Sequence, residues 1–212
     1  MERFFDQDGW LYRFLNRLWD LIVLNILFII TSIPLITIGA SVSALYTVTI
    51  KGVRKEDSYI VRSYLKAFKE NFKKATVIWI ILLVFWIVLI ADILIYGKNN
   101  SVMVCVGGIF GVFWMLVTMY VLPLQARFEN SVQNMLLNSF LIAVKYWNYT
   151  LQLLGISVMV PAVLALLVLK STDMLGWFCS LFVFVGFSGI AWIKSFLYRI
   201  VFEKVTDNEV EK

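Results

Sequence analysis

Histidine is absent from this 212-residue chain, and only two cysteines and three prolines occur. The first absence removes the commonest general base, pH switch and transition-metal ligand together. Cys105 and Cys179 both lie inside apolar runs, far from any sulfur-rich framework, and read as small packing residues rather than a redox pair. No GxxxxGK[ST] phosphate loop, HExxH, GxSxG or set of paired carboxylates in a cleft-like context is present. The expectation is therefore no enzyme, no cofactor and no metal. A long Pro-, Gly- or Ser-rich linker is also missing, so residues 1–212 read as one domain.

Charge is scarce too. Charged residues make up 16% and hydrophobic residues 61%, with a mean hydropathy of +0.83. A soluble fold of this size has too little interior to hide so much apolar surface, so the bilayer must be the solvent for the remainder. The net charge of +5 comes with no nucleic-acid-binding motif. In a membrane protein, surplus Lys and Arg record which connections stay in the cytoplasm. Glu2, Asp6 and Asp8 give the first ten residues the wrong charge for a secretory leader, so the first apolar run is expected to stay in the mature protein.

Four stretches read as spanning helices: 75–96, 102–124, 149–169 and about 174–193. Each supplies about 20 apolar residues, the number needed to cross roughly 30 Å of hydrocarbon. Trp79, Tyr96, Tyr146, Trp147, Tyr149, Trp177, Trp192 and Tyr198 flank them at the expected headgroup level. Arg127 and Lys145 flank a connecting loop before Tyr149.

The first quarter admits two readings. Residues 11–33 are apolar but interrupted by Arg13, Asn16, Arg17, Asp20 and Asn25, and a break follows at Pro34, Thr37 and Gly39. Proline disfavours helix in the residue before it and cannot donate a backbone bond. A single span gives five membrane helices; a hairpin turning near Pro34 gives six. Basic residues crowd the 51–74 connection, at Lys51, Arg54, Lys55, Arg62, Lys66, Lys69, Lys73 and Lys74. The hairpin leaves only Lys98 and Lys170 outside, whereas a single span also exposes Arg3, Arg13 and Arg17. The positive-inside rule favours the hairpin. The expected fold is an all-α polytopic bundle of six membrane helices, with the carboxyl terminus and the 51–74 connection cytoplasmic.

Within the cytoplasmic basic segment, about 54–74, Val61, Leu65, Phe68 and Phe72 recur at helical spacing, and Arg62, Lys66, Lys69 and Lys73 share another face. Such a helix suits a membrane surface or a groove on a partner, and a plain anchoring helix is the bland alternative. Asn25 is the deepest polar side chain of the first helix, best explained by an interhelical hydrogen bond. Arg17 and Asp20 are within pairing distance on a helix, while Lys194 and Arg199 are expected to snorkel to the cytoplasm. A GxxxG spacing at Gly107 and Gly111 suits close helix packing. Ala44-Leu45-Tyr46 and Met119-Tyr120 form a faint internal echo about 74 residues apart.

The run Ser32-Ile33-Pro34-Leu35-Ile36-Thr37-Ile38-Gly39-Ala40, followed by Ala44-Leu45-Tyr46, resembles the YesL family of bacterial membrane proteins. Tyr64-Leu65-Lys66-Ala67-Phe68-Lys69-Glu70-Asn71-Phe72-Lys73 and Leu122-Pro123-Leu124-Gln125-Ala126-Arg127-Phe128 extend the likeness over roughly residues 5–205. The resemblance implies an accessory role beside a carbohydrate ABC importer, with its permease or ATPase subunits as partners. The EAA-Gly coupling motif of importer permeases is not visible, so the chain is not expected to be the pore-forming subunit. A small independent transporter or channel is the alternative, with a membrane enzyme acting on lipid or glycan third.

Overall fold

The computed structural model describes residues 10–54, 59–97, 101–170 and 172–210. Their helices are α1 (Trp10–Ser32), α2 (Ile38–Val53), α3 (Ile60–Tyr96), α4 (Ser101–Arg127), α5 (Val132–Lys145), α6 (Trp147–Lys170), α7 (Thr172–Leu181) and α8 (Phe187–Val210). A 3₁₀ turn (Leu35–Thr37) joins α1 to α2, and a π-helical turn (Phe182–Gly186) joins α7 to α8. No strand occurs among the described residues. Six helical stretches are long and apolar enough to cross a membrane: Leu11–Ser32, Leu35–Val53, Ile60–Tyr96, Ser101–Arg127, Trp147–Leu167 and Gly176–Asp207. The protein is an all-α polytopic bundle. Lipid leaves backbone groups no other partners, which is why the apolar runs are helical.

The chain breaks where proline dictates. Pro34 adopts an extended backbone, with φ −75° and ψ 116°, and starts the 3₁₀ turn. The Thr37 hydroxyl then bonds the carbonyls of Thr31 (2.6 Å) and Pro34 (2.7 Å), tying the end of α1 to the start of α2. Gly39 lies against the Ala75 carbonyl and the Trp79 Cβ, so α2 approaches α3 with no side chain between them. The Trp79 indole N–H donates to the Leu35 carbonyl at 2.9 Å. These contacts fix the height of the hairpin tip at Ala75–Trp79.

Below that level, α1 and α2 pack beside the first half of α3. The hydroxyls of Thr31 and Tyr64 are 2.6 Å apart, and Tyr64 and Ala67 are buried. Above it, α3 meets α4: Phe85 stacks on Trp114 at 4.0 Å, and Gly107 and Gly111 face Ile93 and Leu89. The bundle thus has two storeys. One carries the basic residues Arg62, Lys66, Lys69, Lys73 and Lys74; the other, from Val77 to Tyr96, is apolar on its surface apart from Asp92.

Several expectations need correction. The basic segment is no separate surface helix, because α3 runs unbroken for 37 residues, about 55 Å at 1.5 Å per residue. Nothing between Asn71 and Thr76 interrupts a helix; only the charge density changes. The expected loop before Tyr149 contains α5, capped by Ser131 accepting from the Asn134 N–H at 3.3 Å and packed on α4 through Phe140 and Phe113. Cys105 and Cys179 are exposed and pack in no core. Tyr198 turns inward and is fully buried rather than exposed at the bundle surface, and the Lys194 ammonium donates to the Ser157 hydroxyl of α6 at 2.8 Å.

Tyr198 also explains how α4 carries Pro123 without breaking. Proline has no N–H to give the carbonyl four residues back, and Tyr198 donates its hydroxyl to that carbonyl, Met119, at 2.8 Å. Tyr46 and Tyr120, the two tyrosines of the internal echo, meet its ring edge-on from α2 and α4, at 5.3 and 5.6 Å.

Candidate functional site

The basic segment lines an open groove of about 1170 Å³ between α1 and the start of α3. Trp19, Asp20 and Val23 form one wall; Val61, Arg62, Leu65, Lys66 and Lys69 form the other, with Tyr59 and Ile60 at the end. Trp19 is 64% exposed, Tyr59 86% and Leu65 42%, so large apolar faces stand open beside cations. Lys66 pairs loosely with Glu70 at 3.8 Å, both side chains largely exposed. On the far side of α1, Arg17 lies 4.0 Å from Asp20, donates to the Gly52 carbonyl at 3.2 Å and covers the Trp192 ring at 4.1 Å. These contacts hold α1 in place as a wall.

Of the residues expected on this face, Arg62, Leu65, Lys66 and Lys69 come together in the groove. Phe68, Phe72 and Lys73 do not. Phe68 turns inward, stacked on Tyr64 at 6.5 Å and meeting Phe72 at 5.5 Å, and it packs against both core clusters of the bundle. The inner face of α3 is Tyr64, Ala67, Ala75, Ile78 and Leu82. Spacing alone missed this because Val61, Leu65 and Phe72 are as apolar as the residues actually buried. The α1 wall was missed as well, although Leu15, Trp19, Ile26 and Ile30 share one exposed stripe at helical spacing. Lys55 and Ser58 of the basic segment, with Arg3, Lys98, Asn99, Asn100 and Lys212, lie outside the described residues.

The break-motif residues Pro34, Thr37 and Gly39 sit at the hairpin tip and form no cavity with the groove. Asn25 is fully buried and bonds the π turn: its amide nitrogen donates to the carbonyls of Phe182 and Val183, and its oxygen accepts from the Ser188 N–H at 2.9 Å. Among the described residues, no cluster of His, Cys, Asp or Glu is arranged to hold a metal ion.

No curated protein and no solved structure matches this chain. Over residues 21–93, about the hairpin and α3 that build the groove, the chain is similar to a membrane-protein family described as "Protein of unknown function, DUF624".

Proposed function

We propose that the protein is an accessory, non-catalytic membrane subunit of a carbohydrate ABC importer, docking on its permease or ATPase through the α1–α3 groove. The observation that carries this reading is an exposed apolar trough, Trp19, Val61 and Leu65, flanked by Arg62, Lys66 and Lys69 at the basic end of the bundle. An amphipathic helix with acidic residues on its polar edge fits such a trough, apolar face down and carboxylates toward the cations. The YesL-like motifs support the choice of importer, and the positive-inside rule puts the groove in the cytoplasm, where an ATPase would meet it. The alternative, independent solute flux, draws no support from the centre of the bundle, which is filled by Tyr64, Tyr120, Tyr198 and Phe202.

Purification of the tagged protein from native membranes in mild detergent tests this. Wild type is expected to bring down permease or ATPase subunits in stoichiometric amount. Reversing Arg62, Lys66 and Lys69 to Glu, on an exposed face where folding is not at stake, should cut that yield at least about tenfold, since like charges across an interface cost several kcal/mol. Recovery of neither subunit with wild type would overturn the reading.

A further inference from the structure

We infer that a second, smaller cavity, on the opposite flank of α3 from the groove, is a binding site for a phosphoryl group. It has a volume of about 320 Å³ and lies between the end of α2, the basic half of α3 and the end of α4. That is the lower end of the range for small-ligand sites, about 300–1,000 Å³, and suits a phosphate ester or a lipid headgroup. It is separate from the proposed docking face apart from Lys66, which borders both.

Three features of the lining select the ligand. Lys51, Lys74 and Arg127 converge on it from three helices, with Lys66 at its edge. The carboxylates Glu70 and Glu129 also border it, but Glu70 faces Lys66 at 3.8 Å and Glu129 is exposed, so the balance is positive. Arg127 rests against the rings of Phe128 and Phe202, at 5.4 and 5.9 Å, which orients a planar fork suited to phosphate oxygens.

The third feature is Gln125, which is only 4% exposed. Its amide nitrogen bonds Asn71 Oδ1 at 3.3 Å, and the other end of the same amide has no hydrogen-bond partner. A buried amide end left unmet costs about 1–3 kcal/mol and calls for a ligand. As it stands, Gln125 offers its amide oxygen as an acceptor to an ester's hydroxyl; turning the Gln125 and Asn71 amides over together keeps the bond between them and presents the Gln125 NH2 as a donor to a phosphate oxygen. Thr47, at the α2 wall, bonds the Ala126 carbonyl at 3.3 Å and holds α2 and α4 together behind the site.

The shared chemistry, a phosphate ester, occurs in soluble metabolites and in phospholipid headgroups, and titration with two probes distinguishes them. Purified protein in a neutral detergent is titrated with glycerol 3-phosphate, with glycerol as the uncharged control. In parallel, protein in the same detergent is titrated with phosphatidylglycerol, with diacylglycerol as the phosphate-free control, read as thermal stabilisation. Saturable binding of glycerol 3-phosphate, with none of glycerol, supports a soluble ligand. Stabilisation by phosphatidylglycerol alone supports a headgroup site.

In either case Arg127→Gln and Gln125→Leu should weaken the effect at least tenfold. Lys74→Gln, on an exposed residue that cannot disturb packing, should weaken it about threefold. Lys69→Gln, in the groove, should leave it unchanged. No response to either probe, or an equal loss with Lys69→Gln, overturns the inference.

Discussion

Replacing Gly39 by alanine is expected to destabilise the purified protein by about 3 kcal/mol, the upper end of the usual cost of overpacking. A methyl group at this position would collide with the Ala75 carbonyl and the Trp79 Cβ. Neither is the free end of a flexible side chain. The carbonyl belongs to the middle of α3, and the Trp79 indole is tied to the Leu35 carbonyl at 2.9 Å. Relief therefore requires α2 to move away from α3, which also pulls the Ser41 carbonyl from the Tyr64 hydroxyl that donates to it at 3.5 Å. Gly108→Ala provides the control. A side chain there meets nothing within 4 Å, and alanine is the better helix former by about 1 kcal/mol. Thermal unfolding in detergent, followed by tryptophan fluorescence, should show Gly39→Ala melting well below wild type and Gly108→Ala at or above it. Equal melting of Gly39→Ala and wild type would mean that the hairpin does not dock at Ala75.

Asn25→Leu is expected to cost about as much, roughly 3 kcal/mol, by a different route. A π turn widens the helix by one residue and displaces peptide groups from their ordinary i→i−4 partners. In the turn Phe182–Gly186 those groups are met from outside, by both ends of the Asn25 amide, while Ser188 donates its hydroxyl to the Leu21 carbonyl at 2.8 Å. Leucine has the same branched shape, with methyl groups bulkier than the amide's oxygen and nitrogen, and none of the polarity. It would leave buried carbonyls and an N–H with no water to turn to. A side-chain hydrogen bond between membrane helices is ordinarily worth only about 0.6 kcal/mol, because the separated helices find other partners. Displaced backbone groups have no such choice, which is why the larger figure applies. Ser188→Ala, which spares the Asn25 bonds, should cost about 1 kcal/mol. Unfolding of Asn25→Leu within about 0.5 kcal/mol of wild type would show that α8 simply slides back into α-helical register.

The course of the backbone was largely legible in the residues. Pro34 and the one-sided distribution of Lys and Arg indicated a hairpin, and the long apolar runs indicated the later helices. Which face of each helix points inward was far less legible. Exposed faces of these helices are as apolar as interior ones, so Val61, Leu65, Phe68 and Phe72 carried the pattern while Tyr64 and Ala67 carried the packing. The same ambiguity put Cys105 and Cys179 in an interior they do not occupy. Polar residues misled in the other direction: Gln133, Asn134, Asn138 and Ser139 made α5 read as a loop, although Ser139 is buried and bonds the Met135 carbonyl at 2.6 Å. The groove needed α1 as well as α3, and the phosphoryl site needed Lys51, Lys74 and Arg127 brought together. Neither juxtaposition follows from spacing along a single helix.

Docking on a cytoplasmic partner requires that the basic storey face the cytoplasm and the α3–α4 turn face outward, and this is measurable in cells. In a background with Cys105→Ser and Cys179→Ser, single cysteines are placed by Lys69→Cys in the groove and Ser101→Cys at the start of α4. A membrane-impermeant maleimide should label Ser101→Cys in intact cells and Lys69→Cys only after permeabilisation. Labelling of Lys69→Cys in intact cells would put the groove on the wrong side of the membrane for an ATPase and contradict the account.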